Sequence, residues 1–542
     1  MGRLSNYSNK DTAAIRKYDE VVVENFMGGN SYKLTPLNTL KIIAASSIFG
    51  EPQYYRNGIK SANKIHNIDS LRQFSILKSI ISSDQSAADV FTEAIDNALD
   101  FDFKGTLDLA VELRNEYFMR LNPAVIFVRA IQHKDRATFN ESNPGYMRKV
   151  GNSISRRPDD ITNQFDYFMY INKTKNKMPS VLKRTWADNL ESYSRYQLNK
   201  YKGKSIIDLI RISHANSNDI NELMRTGTLV MPEEDMTWEQ LKSAGKSWEE
   251  ILVTINIPHM ALLRNLRGIF SEISDYAMAV NILEKLKSGV LNGKQFPFRY
   301  YSAYQAIKNS KNSIFHAQLI LDSLEECLDI SVANMPKLRG KVACLSDNSG
   351  SAWGTFNSEY GTVKIAEIAN LSSLITAMQS DEGEVGVFGD RLAIQPVSKR
   401  NGLLSQLQET CEIGKEQGGD TENGIWLFWN NAITKKIHYD TVFIYSDQQA
   451  GHGGLFGTSP SEYKNFKFRG SRYIDVLALV EMYRKTVNPK VNIITVQVAG
   501  YNNSVLPENL YRGAILSGWT GKESTYAKAL IDTWDAIEGI IK

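Results

Sequence analysis

With 542 residues, 42% of them hydrophobic and 23% charged, the chain is too long for a single core and has the make-up of an ordinary globular protein of about two to four domains. Three scattered cysteines, Cys327, Cys344 and Cys411, argue against a disulfide framework or a cysteine-based zinc site, and no apolar run approaches the ~18 residues of a membrane span. The net charge of +3 hides an uneven distribution, since residues 131–215 carry 16 Lys and Arg against 8 Asp and Glu while 216–260 carry 3 against 8. The first of these stretches is either a phosphate-seeking surface or a solvated helical face. The opening twenty residues lack the apolar core of a signal peptide, so the expectation is a cytoplasmic protein without membrane contact.

Over residues 20–335 the apolar positions recur mostly at helical spacing. "PLNTLKIIAASSIFG" (36–50), "ADVFTEAIDNALDF" (88–101) and "GTLDLAVELRNEYFMRL" (105–121) fit the i, i+3, i+4 pattern. "NPAVIFVRAIQHK" carries Pro123 where a first-turn proline is tolerated. "IDLIRISHA", "MALLRNLRGIFSEI" and "AVNILEKLKSGV" continue the series, the last ending on a glycine stop. Helices with short polar breaks over some three hundred residues predict an α-helical, HEAT-like solenoid with degenerate repeats.

The texture changes over residues 336–542. "KVACLSD" (341–347), "EVGVFGDRLAIQPV" (384–397), "TVFIYSD" (441–447) and "VNIITVQVAG" (491–500) read as strands. Helical patterns at 359–379, 402–412, 424–433, 473–485 and 523–541 alternate with them. This alternation predicts a doubly wound α/β domain with a parallel sheet, whose ligands sit beyond the carboxyl ends of the strands.

Two of those strand ends carry chemistry. "CLSDNSGS" spaces Asp347, Ser349 and Ser351 as Asp-x-Ser-x-Ser, which is either a tight turn or a carboxylate and two hydroxyls aimed at a hard divalent cation. "IYSD" offers Asp447, and "GGDTENG" offers Thr421 in a Gly-rich loop where the adjacent Asp420 competes. The three segments resemble the metal-ion-dependent adhesion site (MIDAS) of von Willebrand factor A domains. That resemblance implies a site made of Asp347, Ser349, Ser351, Thr421 and Asp447, and Mg²⁺ is the expected ion because the donors are all oxygen.

"IPHMALLRNLRGIF" (257–270), "YKGKSIIDLIRISHA" (201–215), "ENFMGGNSY" and "FGEPQYYR" resemble the TROVE module of the Ro ribonucleoprotein family. Followed by an A domain, that module is the Ro architecture of a bacterial-type member. The resemblance implies a ring of HEAT-like helical pairs, with the A domain bridging its ends. It implies as partners a small structured non-coding RNA of the Y type on the basic outer surface and single-stranded 3′ ends of misfolded RNAs in the central hole. It further implies an RNA quality-control role beside a 3′→5′ exoribonuclease, the chain acting as a monomer within a ribonucleoprotein. Ile206 stands where vertebrate-type members place a histidine that helps to hold Y RNA.

Phosphate contacts need Lys and Arg, and unpaired bases need aromatic or guanidinium faces. The candidates are Lys173, Lys175, Lys177, Lys183 and Arg184, then Lys200, Lys202 and Lys204, with Arg195, Tyr193, Tyr196 and Tyr201 interleaved. Arg211 and His214, three apart, are placed on one helix face. Tyr196 is equally a core residue, and Arg211 and Arg264 are equally partners in salt bridges between helices. No nucleophile elbow, zinc-ligand spacing or intact phosphate loop occurs, so no enzyme is expected. The rival reading is a metal-dependent protein-interaction adaptor without RNA.

Overall fold

The computed structural model describes residues 22–24, 30–32, 35–45, 87–172, 177–231, 236–311, 313–354, 364–418, 422–446, 476–497, 510–517 and 523–539. A short antiparallel pair, β1 (Val22–Glu24) and β2 (Asn30–Tyr32), precedes the helical part. Local chemistry starts many of the helices. Ser194, Thr237 and Ser247 each accept the N–H of the residue three positions on, and Gln197, Gln240 and Glu250 bond back to the capping residue's N–H. Asp102 caps Phe103–Asn115 by accepting the Gly105 N–H at 2.7 Å.

The helices pack as successive neighbours. Phe103–Asn115 lies against Leu121–Gln132, which packs on Pro158–Ile171, while Tyr146–Ile154 packs on Ser180–Ser192 and that helix on Lys204–Ser213. Arg114 and Asp160 tie two of these layers together through a 2.8 Å ion pair that is almost wholly buried. The periodicity over 105–121 suggests one element, but the chain breaks after Asn115 because Phe118 adopts a left-handed backbone (φ 54°). Among the described residues no helix is long and apolar enough to cross a membrane.

A six-stranded sheet follows, formed by β3 (Leu338–Asp347), β4 (Ser380–Phe388), β5 (Leu392–Pro396), β6 (Thr441–Ser446), β7 (Asn492–Gln497) and β8 (Gly513–Ser517) in the order β5-β4-β3-β6-β7-β8. It is not wholly parallel. The β-rich stretch at 384–397 turns back at Gly389–Arg391, where Gly389 N–H donates to Arg391 O, so β5 runs antiparallel along the edge. Helices Ile365–Met378, Leu403–Lys415 and Glu523–Ile537 cover one face, and Glu422–Thr434 and Val476–Thr486 cover the other. Residues alternate accordingly: Val342 and Cys344 join the core shared with the helical part, whereas Ala343 and Leu345 join a separate core behind the sheet.

The sheet domain touches both ends of the helical run. Pro36–Ala45, the first described helix, packs on Glu523–Ile537, the last. Ala317–Val332, the final helix before the sheet, packs on Leu403–Lys415, where Asp329 accepts the Leu403 N–H at 2.6 Å. Lys294, just past the Val290–Gly293 helix, places its Nζ 5.9 Å from the centre of the Phe118 ring. The result is an α-helical solenoid closed into a ring by a doubly wound α/β domain.

Candidate metal centre and nucleic-acid surface

The strand order reverses between β3 and β6. From β3 the chain runs outward through β4 and β5, then crosses back to build β6, β7 and β8 on the other side. A crevice opens at the carboxyl ends of two strands that diverge in this way, and it is the usual ligand position of such sheets. Asp347 ends β3 and Ser446 ends β6, so both stand at this reversal point.

Asp347, Asn348 and Ser349 are buried to within 1% of complete occlusion. Asp347 Oδ1 accepts the Ser349 N–H at 3.0 Å, an Asx turn, and its Oδ2 accepts the Ser446 hydroxyl at 2.7 Å. Ser351 lies in the Gly350–Gly354 helix that follows, with its side chain outside the described residues; Thr421 and Asp447 lie outside them altogether. The described donors are hard oxygens, which suits a divalent cation such as Mg²⁺. Ser446 went unnoticed in the sequence because it belongs to an apolar strand and reaches Asp347 across 99 positions.

The basic candidates separate into groups. Lys173 and Lys175 lie outside the described residues, as does the side chain of Lys204, whose backbone begins the Lys204–Ser213 helix. Lys177 and Arg184 are exposed and Lys183 is half-buried, the last two on Ser180–Ser192. Lys200 and Lys202 are exposed. Lys200 Nζ donates to Tyr196 Oη at 2.7 Å and stands 3.9 Å from Glu239, and Lys202 Nζ donates to Thr228 Oγ1 at 2.9 Å. The Tyr196 hydroxyl, as acceptor, raises the Lys200 pKa and keeps it cationic.

Arg211 is no buried bridge: its side chain is 66% exposed and only 4.0 Å from Asp208 at closest. Arg264 is exposed as well. His214 corrects the expectation of a shared helix face. It is exposed, but it sits past the end of Lys204–Ser213 with a left-handed backbone (φ 57°), so it caps the helix and is not part of the helical face that carries Arg211. Tyr193 is a core residue whose hydroxyl donates to Arg157 O at 2.9 Å, and Tyr196 is half-buried. Arg195 is held in ion pairs by Asp219 and Glu222. Ile206 is 1% exposed, so its position faces the core.

The TROVE domain family matches residues 222–346. Among solved structures, that of the Deinococcus radiodurans Ro (RSR) protein superposes with a TM-score of 0.60 at 12% identity, covering 94% of this chain and 100% of that one. The chain has the Ro fold. No curated protein matches it by sequence. Within the Ro fold the TROVE match spans the Lys242–Glu272 ion pair, the "IPHMALLRNLRGIF" helix and β3 up to Ser346, one residue before Asp347.

Proposed function

We propose that this chain is a non-coding-RNA-binding protein of the Ro type, acting in RNA quality control or degradation. A Y-like RNA lies on the basic outer face of the ring, and single-stranded 3′ ends of misfolded RNAs enter its centre. A 3′→5′ exoribonuclease is the expected protein partner, and the chain acts as a monomer within the ribonucleoprotein, in the cytoplasm. The observation that carries this reading is the TROVE match on a helical run closed by an α/β domain, with Lys177, Arg184, Lys200, Lys202 and Arg211 all exposed to solvent in the stretch that precedes the match. Buried Ile206 argues for a grip on Y-like RNA different from that of vertebrate-type members.

Asp347 and Ser349, with Ser351, Thr421 and Asp447, would hold a divalent cation, Mg²⁺ by donor type. When bound, it supplies an electrophilic position for a carboxylate or phosphate oxygen. The chain's own part is to present oxygens from fixed strand ends, and no catalytic step is assigned to it.

Ultraviolet crosslinking followed by sequencing of co-purified RNA tests the reading, with a Lys200→Glu/Lys202→Glu/Lys204→Glu variant beside the native protein. One abundant small structured RNA, lost in the variant, is the expected result. Absence of enriched RNA from both samples would move the protein-adaptor reading to the front.

A further inference from the structure

Behind Asp347 and Ser349 lies a buried amide network that neither the RNA surface nor the cation ligands use. Asn370, in the middle of Ile365–Met378, is fully buried, as is Ser346, and Asn348 is 1% exposed. Asn370 Oδ1 accepts the Ser346 hydroxyl at 2.6 Å and Asn348 Nδ2 at 2.8 Å. Its Nδ2 donates to Asn348 Oδ1 at 3.0 Å and to Cys411 Sγ at 3.3 Å. A side-chain amide offers two acceptor and two donor positions, and all four of Asn370 are engaged.

The reciprocal pair acts on the residue between Asp347 and Ser349. Asn348 is also tied through its backbone N–H to Phe388 O at 2.8 Å, at the end of β4, and through Nδ2 to Ser346 O at 3.1 Å. Helix Leu403–Lys415 closes the remaining side at Gly414, where a Cβ would stand 2.1 Å from Asn348 Oδ1. Asn348 is therefore held from β4, from Ile365–Met378 and from Leu403–Lys415, and the Asx turn of Asp347 and Ser349 is built on either side of it.

We propose that Asn370 is a positioning residue for the cation site, clasping Asn348 so that Asp347 and Ser349 present their oxygens in a fixed geometry. The proposal rests on the reading of Asp347 and Ser349 as cation ligands. Residues that orient ligands from behind typically change metal affinity about 10–100-fold when removed. Truncating Asn370 also leaves Asn348 with buried amide groups lacking their partner, which favours a rearranged turn.

The test is Mn²⁺ binding to the full chain, followed by the electron paramagnetic resonance signal of the free ion, with thermal unfolding of each metal-free protein alongside. The proteins are the native chain, Asn370→Ala, Asn348→Ala, the double variant, and Leu479→Ala as a destabilised control in the core behind the sheet. The expected result is native binding that weakens about tenfold or more in each asparagine variant, no further in the double variant, and not at all in Leu479→Ala. Native-like affinity in a folded Asn370→Ala protein overturns the proposal while leaving the cation site intact. So does an equal loss of affinity in Leu479→Ala. If Asn370→Ala does not fold, Asn348→Ala makes the same test from the other side of the clasp. No Mn²⁺ binding by the native chain overturns the cation reading itself, and the proposal with it.

Discussion

The hydroxyl of Ser446 donates to Asp347 Oδ2 at 2.7 Å, joining the carboxyl ends of β3 and β6 at the point where the strand order reverses. Both residues are fully buried, so water does not replace the bond if it is lost. Ser446→Ala is expected to cost about 1.5–3 kcal/mol, the range for hydrogen bonds to a charged group. Ser446→Thr, which keeps the hydroxyl, is expected to cost less. Urea unfolding of the two variants beside the native chain gives the comparison, and equal costs would mean that the hydroxyl contributes nothing.

The Arg114–Asp160 pair makes a different prediction because both partners are ionic and occluded. Asp160 Oδ2 also accepts the Arg157 N–H at 3.0 Å, and burial pushes the Asp160 pKa up against the pull of Arg114. Arg114→Ala strands a buried carboxylate and is expected to cost about 3–5 kcal/mol. Replacing both, as Arg114→Met with Asp160→Leu, is expected to recover most of that loss. A double variant no more stable than Arg114→Ala alone would refute the account.

Local signals carried much of this fold. Apolar spacing reveals Ala87–Phe101, and Asp-x-Ser-x-Ser marks the tight turn at Asp347 and Ser349, because in each case the relevant partners lie within a few residues. What escaped depends on distant partners or on single backbone angles. Asn370 reaches Asn348 from 22 positions away and Ser446 reaches Asp347 from 99, and neither leaves a spacing to read. Nothing in "NEYFMRL" announces the left-handed Phe118, nor "RISHA" the left-handed His214. The antiparallel turn into β5 was hidden in a continuous β-rich run because Gly-Asp-Arg interrupts it by only three residues.

The junction between ring and sheet domain is expected to weaken as pH rises from the acid side. Burial pushes the Glu325 pKa up, with Asp329 and Asp322 adding repulsion. Burial likewise raises Asp329, and the Leu403 N–H draws it partly back. A carboxyl group with a raised native pKa contributes stability that is complete below its ordinary value of about 4 and is lost as pH rises through the native value. Glu325→Gln is therefore expected to be more stable than the native chain at neutral pH and to lose that advantage in acid. Thermal unfolding across pH measures the difference between the two proteins. An advantage independent of pH would point to packing instead.

Salt dependence would separate the arginines that hold the fold from those proposed to meet RNA. Each phosphate contact contributes about 0.9 to the slope of log affinity against log salt for duplex nucleic acid and about 0.7 for single strands. Arg184 is exposed on Ser180–Ser192, and Arg211, 66% exposed, lies on the Lys204–Ser213 helix packed against it. Arg184→Ala and Arg211→Ala are each expected to shallow the slope by about one contact. Arg195 is also basic and lies between them in sequence, but Asp219 and Glu222 hold its guanidinium. Arg195→Gln is expected to loosen the contact between Arg195–Lys200 and Asn218–Thr226 while leaving the slope unchanged. Fluorescence anisotropy with the co-purified RNA over a salt series reads all three variants. A shallower slope for Arg195→Gln alone would mean that its ion pairs open on binding, and the phosphate surface would then extend to Arg195–Lys200.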